Sequence, residues 1–293
     1  MKILITGSDG FVGKYLSQQL KFAGHQVSGI DIRNRLPETL GVDLLDKPLL
    51  GRILGEIEPD VVIHLAAISH VVLNNNSEIY NTNLGGTLNL LNVCTRLKKI
   101  PRLVFISSAL VYGAVPAEKQ PIDEASPLHP INHYAASKAA CEMALRTFSA
   151  ETGLEYTIVR PFNHTGPGHS EHFVIPKILR AFKEGRSEIS LGNVDVVRDF
   201  SDVRDVVRAY LMMVEQFQNG EVFNLASGEG TTIRQIVEML NNIADRKVKI
   251  IQNEDFIRRN EIEMLVGSAE KVNRTLGWKP EYRLQDTLEF MLR

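Results

Sequence analysis

The sequence is short of several things, and each shortage excludes a class of protein. Of its 293 residues only two are cysteine, Cys94 and Cys141. No disulfide framework can hold the chain, and two thiols in this length point to a reducing compartment, so we expect buried, unpaired cysteines in a cytoplasmic protein. Charge of neither sign is in excess: 33 Lys and Arg face 35 Asp and Glu, a formal net of -2. That leaves no electrostatic footprint for nucleic acid or an anionic membrane. No apolar run approaches the roughly 18 residues of a transmembrane helix. The amino end reads as a strand, not as a basic stretch followed by an apolar core, so no secretory signal is expected. Internal repeats and low-complexity segments are absent, and no metal site is expected. What remains is an ordinary composition, 44% hydrophobic and 23% charged, long enough for one large domain or two modest ones.

The first half alternates two periodicities. Strand patterns cover 2–6, 26–31, 60–65, 103–107 and 155–160, with a short third strand at Val42-Asp43-Leu44. The run DVVIHL at 60–65 is continuously apolar around His64, as a strand covered on both faces should be. Between the strands, Leu84, Leu88, Leu91 and Val93 recur at helical spacing over 83–97, and a long helix is predicted over 132–151. Strand alternating with helix predicts an α/β fold: a Rossmann-type, doubly wound parallel sheet. After 160 the pattern loosens. Residues 161–172 read as a loop rich in Pro, Gly, His and Asn. Two strands (188–191, 221–225) and four helices (174–184, 203–217, 232–244, 269–275) follow. They predict a smaller carboxy-terminal α/β part, with the stretch 200–225 returning to the main sheet.

Gly7, Gly10 and Gly13 follow the first strand and open a helix, with Phe11 and Val12 between the last two. One glycine allows a tight turn, one lets a pyrophosphate approach the backbone, and one permits close helix–strand packing. Asp31 ends the second strand 18 residues beyond Gly13. A carboxylate there accepts from adenosine ribose hydroxyls and repels a 2′-phosphate, which favours NAD over NADP. Arg33 stands open between pairing with a 2′-phosphate and being a solvated loop charge. Asp43 and Leu44 frame an adenine, or Asp43 caps the next helix. Leu65, Ala66 and Ala67 leave room for a ligand at a strand's carboxyl end, and Pro161 closes the sixth strand as a further candidate cofactor contact. His64 reads as a satisfied core histidine. Asn83 has poor helix propensity, which suits a side chain bonded to backbone near the site, an exposed Asn being the plainer reading.

Tyr134 and Lys138 lie four residues apart on one helical face. A free tyrosine titrates near about 10. A neighbouring ammonium and a cationic nicotinamide favour the phenolate, so we expect a lowered value and proton transfer near neutral pH. Lys138 is also placed to donate to nicotinamide ribose hydroxyls. Ser108, at the carboxyl end of the fifth strand, donates to the substrate oxygen. Its neighbour Ser107 reads as a hydroxyl bonded to backbone.

The strings TGSDGFVG, HLAA, NTNLGGTLNLL, ISSALVYG, YAASK, RPFN and RDFSDVRDVV together resemble the extended short-chain dehydrogenases/reductases that act on nucleotide sugars. The resemblance spans essentially the whole chain. It implies Ser108, Tyr134 and Lys138 as the catalytic triad, with Asn83 supporting. RPFNHTGPG, GNVDVVRDFSDVRDVVRAY, FNLASGEG and RRNEIEMLVGS are most similar to the GDP-6-deoxy-4-keto-mannose reductases, which form GDP-rhamnose. Carried over residue by residue, the resemblance implies that Asn163 reaches the sugar or diphosphate. Arg198 and Arg258 would clamp the diphosphate with forked donors. Phe173, Val174 and Ile175 would underlie the sugar nucleotide. His169 stands where Gln is common, and His133 where a smaller residue or Pro is usual. Related 4,6-dehydratases carry an acid just before the VYG string. Ala109 and Leu110 stand here and have no proton to give, which disfavours elimination of water.

These readings predict a dinucleotide-binding domain over 1–165, with return of roughly 200–225, and a nucleotide-sugar-binding domain mainly over 166–293. The expected activity is NAD(P)H-dependent reduction of a C4 ketone on a nucleotide-linked 4-keto-6-deoxy sugar. A 4-epimerase of the same fold is the alternative, and a non-catalytic cofactor-binding module is a third. Similar enzymes pair through four-helix interfaces, so a homodimer through the helices near 83–98 and 134–150 is expected.

Overall fold

The computed structural model describes residues 1–36, 38–69, 75–257 and 260–293. β1 (Lys2–Thr6) leads through the glycine turn into α1 (Phe11–Phe22), followed by β2 (Gln26–Asp31), β3 (Thr39–Gly41), α2 (Lys47–Ile57) and β4 (Val61–His64). α3 (Asn76–Tyr80) passes through a π-helical turn (Asn81–Gly85) into α4 (Gly86–Cys94). Then come β5 (Arg102–Ile106), α5 (His133–Thr152), β6 (Tyr156–Pro161), β7 (Asn163–Thr165), α6 (Val174–Lys183), β8 (Glu188–Leu191) and β9 (Val197–Asp202). The chain ends with α7 (Val203–Glu215), β10 (Val222–Leu225), β11 (Gly230–Thr232), α8 (Ile233–Ile243), β12 (Lys249–Gln252), β13 (Met264–Leu265), α9 (Glu270–Leu276) and α10 (Leu284–Leu292).

A seven-stranded sheet runs β10-β6-β5-β4-β1-β2-β3. The registers from β3 to β6 are parallel. Ile158 N–H donates to Glu221 O and Phe162 N–H to Leu225 O, an advance in step that parallel strands show. Strand order reverses between β1 and β4, and in doubly wound sheets ligands bind at the carboxyl ends beside such a reversal. All four residues of β4 are buried, which is why its sequence is apolar throughout. This is the Rossmann-type architecture that the alternating pattern predicts.

Local differences have local causes. The third strand is Thr39–Gly41, not 42–44. Val42 N–H still reaches Asp31 O, but Asp43 then turns the chain by accepting from Leu45 N–H at 2.9 Å. The cap of α2 is Asp46, which accepts from Leu49 N–H, and not Asp43. The helix expected at 83–97 starts earlier, at Asn76, where Asn75 supplies a cap, and ends at Cys94. The presumed loop 161–172 contains β7, paired in parallel with β9. Strands of two to four residues such as β7, β11, β12 and β13 are too short to show a periodicity.

The chain divides into two compact units. Unit 1 comprises residues 1–113, 127–160 and 207–223; unit 2 comprises 114–126, 161–206 and 224–293. Unit 1 closes around Leu4, Leu50, Leu90, Phe105, Leu145 and Ile158, each 0% exposed. Unit 2 closes around Ile178, Val194, Ile236, Leu240 and Leu288, also 0% exposed. Each such side chain contributes about 1.5–3 kcal/mol through burial. Among the described residues no helix is long and apolar enough to cross a membrane. Cys94 and Cys141 are free and buried.

Candidate active site

The amino-terminal turn of unit 1 is shaped by what its glycines lack. Gly7 has φ +75, and a Cβ there would lie 2.8 Å from Ala66 N. At Gly13 a Cβ would lie 2.4 Å from Gly7 O and 2.7 Å from Ser8 O. The backbone of the turn therefore packs directly on α1 and on the end of β4. Gly10 caps α1 in extended conformation without a side-chain bond, and no acidic residue stands in the first turn. A helix N-terminus left uncapped by side chains favours a phosphate. Phe11 and Val12, both half-buried, open the helix; Phe11 stacks edge-on against Tyr15 at 5.8 Å.

Asp31 is 6% exposed at the end of β2. It accepts from Arg33 N–H at 2.9 Å and from Asp9 N–H at 3.3 Å. Arg33 keeps its side chain half exposed, with Nε 3.5 Å from the Asp31 carboxylate. Asp9, inside the glycine turn, is buried and takes a hydrogen bond from Thr39 Oγ1 at 2.6 Å and one from Arg35 N–H. Despite the cost of desolvation, these donors hold its carboxyl below the usual value. One carboxylate thus lies within the turn and another, Asp31, beside it. Leu44 is buried and its carbonyl accepts from Asn89, while Asp43 is half-buried. The turn, the helix end and Asp31 fit the pyrophosphate and ribose of an adenine dinucleotide.

His64 is a core histidine with both ring nitrogens engaged. Nδ1 lies 2.6 Å from Thr6 Oγ1 and Nε2 lies 2.9 Å from Thr87 Oγ1. Thr6 Oγ1 receives Ala66 N–H, so its proton goes to Nδ1; Thr87 gives its proton to Asn83 O, so Nε2 is the protonated nitrogen. Burial pushes the imidazole down to about 3 and keeps it neutral. Leu65, Ala66 and Ala67 are half-buried beyond it; Leu65 N–H donates to Thr6 O. Asn83 sits in the π-helical turn and is 2% exposed. It accepts from Ile68 N–H and donates to Ile68 O and Ser137 Oγ, and Ser137 in turn donates to Tyr134 O. The irregular turn aims one side chain at two elements, a common use of π-bulges.

Tyr134 is the second residue of α5, whose first turn is capped by Asn132 through Ala135 N–H. Its phenol neighbours the side chain of Ser108, which follows β5. Ser108 Oγ also accepts from Leu110 N–H. One turn on, Lys138 is 3% exposed and donates to Ile106 O at 2.7 Å, with Nζ 5.0 Å from the centre of the Phe105 ring. The expected lowering of Tyr134 is reversed. Part of the residue reaches solvent, but the hydroxyl end is desolvated and is pushed up to about 12, Ser108 opposing. Burial likewise brings the Lys138 ammonium down to about 8. In this setting the phenol keeps its proton at neutral pH and the lysine is the group poised to titrate. The reason is dielectric: burial disfavours both charged forms at once.

Ser107 differs from its reading as a backbone-bonded hydroxyl. It donates to the buried carboxylate of Glu142 at 2.6 Å. Glu142 and Arg160, which pairs with it at 2.6 Å, are residues that the motif reading passed over. A signal was present: Glu142 continues the four-residue spacing of Tyr134 and Lys138, and Arg160 is the one charged residue of a strand buried throughout.

In unit 2, Asn163 on β7 donates to Asp199 O at 3.2 Å. Arg198 donates to Val197 O and Glu263 O, so part of its fork is already bound to backbone. Phe173 is the cap residue of α6 and Val174 its first residue. His169 stacks on Phe173 at 4.3 Å and on His164 at 6.5 Å, and burial holds it near about 3. Pro161, buried, is the first residue of unit 2. Arg258 lies outside the described residues. His133, in unit 1, meets the Tyr80 hydroxyl at 3.2 Å.

Comparison with known proteins agrees with this architecture. A GDP-6-deoxy-D-mannose reductase of Pseudomonas aeruginosa is 36% identical over 298 residues, spanning 99% of this chain and 96% of that protein. The solved structure of RMD from Pseudomonas aeruginosa complexed with NADPH superposes with a TM-score of 0.89 at 35% identity, covering 99% and 97% of the two chains. A UDP-glucose 4-epimerase of Thermus thermophilus in complex with NAD gives a TM-score of 0.92 at 28% identity, covering 100% and 98%. Residues 4–291 match the GDP-mannose 4,6 dehydratase family, and the chain belongs to it.

Proposed function

We propose that this enzyme is an NAD(P)-dependent oxidoreductase that reduces the C4 ketone of a nucleotide-linked 4-keto-6-deoxy sugar, GDP-4-keto-6-deoxymannose first among them, to the GDP-rhamnose product. The carrying observation is the grouping of Ser108 at the end of β5 with the Tyr134 phenol, which it pulls down against burial, and Lys138 one turn along the same helix. A nicotinamide dinucleotide, when bound, supplies the hydride. Gly7, Gly10, Gly13 and Asp31 hold its pyrophosphate and adenosine ribose, with Asp31 favouring NAD. Ser108 donates to the substrate oxygen, and Tyr134 gives that oxygen its proton. A phenol held up at about 12 stays protonated until an alkoxide, a far stronger base, develops beside it. Lys138 donates to the nicotinamide ribose. Residues 109 and 110 are Ala and Leu, so the acid that elimination of water requires is missing although the family is named for dehydration. Asn163, Phe173, Val174, Arg198 and Arg258 of the carboxy-terminal half bind the sugar nucleotide in this reading. The similarity to the P. aeruginosa reductase supports it.

The direct test supplies GDP-4-keto-6-deoxymannose with NADH or NADPH and follows loss of the nicotinamide absorbance. Lack of turnover with every 4-keto nucleotide sugar rejects the reading. The likeness to an NAD-bound epimerase favours one competitor. Tightly retained NAD with no net consumption of NADH would select epimerisation instead. We further propose a cytoplasmic homodimer through the helices near 83–98 and 134–150, which α4 and α5 supply, Met143 of α5 being 68% exposed; a sizing measurement showing only monomer rejects that assembly.

A further inference from the structure

Glu142 is a buried carboxylate of unit 1 that the proposed reaction leaves unused. Glu142 stands four residues beyond Lys138, so Tyr134, Lys138 and Glu142 share one face of α5. Its side chain is 1% exposed. Oε1 accepts from Ser107 Oγ at 2.6 Å and from Arg160 Nε at 3.0 Å, while Oε2 accepts from Arg160 Nη2 at 2.6 Å. Arg160 Nη1 donates to the Tyr112 hydroxyl at 2.9 Å. The α5 face therefore meets consecutive residues at the end of β5: Lys138 holds Ile106 O and Glu142 holds Ser107 Oγ, with Tyr134 beside Ser108. A buried ion pair is weak evidence for stability, because desolvation offsets its attraction. Its geometry here points to placement.

We propose that Glu142, clamped by Arg160, is a positioning residue: it locks the Tyr134–Lys138 face of α5 in register with Ser108 and supplies the counter-charge of the buried Lys138 ammonium. The titratable groups around Lys138 are Tyr134, Cys141 and Glu142 on α5 and His64 on β4, with Arg160 and Tyr112 joined through Glu142. Burial keeps His64, Tyr134 and Cys141 in their neutral forms. Cys141 and then Glu142 oppose the fall of Lys138 that burial causes; with Cys141 in its neutral form, the nearby formal charges are those of Glu142 and Arg160. The catalytic consequence rests on the reductase reading; the charge coupling does not.

The test uses the full chain labelled with 13Cε-lysine, the Lys138 resonance being identified by its loss in Lys138→Met. Its titration is followed in wild type, Glu142→Gln, Arg160→Gln and the double variant. Glu142→Gln leaves the arginine cation unopposed and lowers the Lys138 midpoint by about one pH unit. Arg160→Gln frees the carboxylate for Lys138 and raises it, and the double variant falls between. The alkaline limb of kcat follows the same order. A merely structural brace lowers the melting temperatures and moves neither midpoint, which overturns the proposal. Should a charge-removing variant fail to fold, Glu142→Asp keeps the pair but withdraws the carboxylate by one methylene. Its midpoint then falls by less than in Glu142→Gln, and an unchanged midpoint overturns the proposal equally. If wild type turns over no 4-keto sugar while the midpoints still follow the charge at 142, the reductase reading alone fails. Normal turnover with fixed midpoints means that this inference alone fails.

Discussion

Each unit buries a carboxylate next to its candidate residues, and the two are satisfied differently. In unit 1, Glu142 faces a guanidinium fork and joins a 20-residue helix to the end of a strand. In unit 2, Asp199 is 0% exposed and accepts from Ser227 N–H and Oγ, Gly228 N–H and Gly267 N–H. Those donors are neutral, two residues of the 226–229 connection and one β-bridge residue; they oppose the effect of burial, which raises the Asp199 carboxyl. An ion pair between regular elements sets their register. A carboxylate among backbone donors instead folds a loop around itself. The first arrangement suits groups that must meet at sub-ångström tolerance, and the second suits a surface that shapes itself to a bound molecule.

The largest expected effect lies in unit 1. Tyr134→Phe removes the acid while keeping the ring, so kcat falls by about 10²–10⁴-fold; NADH fluorescence titration should show unchanged dinucleotide affinity, and a variant retaining most turnover would displace Tyr134 from its role. Next is Gly13→Ala. Its Cβ would press on the carbonyl oxygens of Gly7 and Ser8, which cannot move without reshaping the turn. Overpacking of about 1–3 kcal/mol corresponds to up to roughly 10²-fold in dinucleotide affinity, measured by the same titration. In unit 2, Asp199→Asn turns one acceptor into a donor facing N–H groups. Calorimetry should show a loss of about 1–3 kcal/mol with dinucleotide affinity intact. A parallel loss of dinucleotide affinity would contradict the division of labour between the units. Last is Gly267→Ala, where a Cβ would lie 2.4 Å from Phe162 Cε2 and 2.7 Å from Ala226 Cβ. Both neighbours are side chains and not the carbonyls of a ligand turn, so the expected cost is about 1–3 kcal/mol in melting experiments with dinucleotide affinity unchanged.

Legibility followed the length of the elements. The strand-turn-helix of the dinucleotide half, the Tyr134–Lys138 helix and the parallel order could be read because long elements repeat a period many times. β7, β11 and β13 have three, three and two residues and show none. Asn83 was legible as an awkward helix residue, but its two partners, Ile68 and Ser137, lie 15 and 54 positions away. Glu142 was hidden differently. A carboxylate on a helix normally faces water, and only its partner from a neighbouring strand makes it an interior residue.

Local sequence by itself determined which residues could turn, cap and alternate: glycines where a Cβ would strike backbone, apolar runs for strands covered on both faces, a tyrosine and a lysine one helical turn apart. Tertiary structure alone decided the protonation of those groups and the partners of the buried charges. A pKa depends on the solvent removed around a side chain and on charges brought to it from elsewhere in the chain, and neither is a property of sequence neighbours. The spacing of Tyr134 and Lys138 suggested an acidified phenol, whereas burial keeps the proton on it and leaves the lysine to titrate.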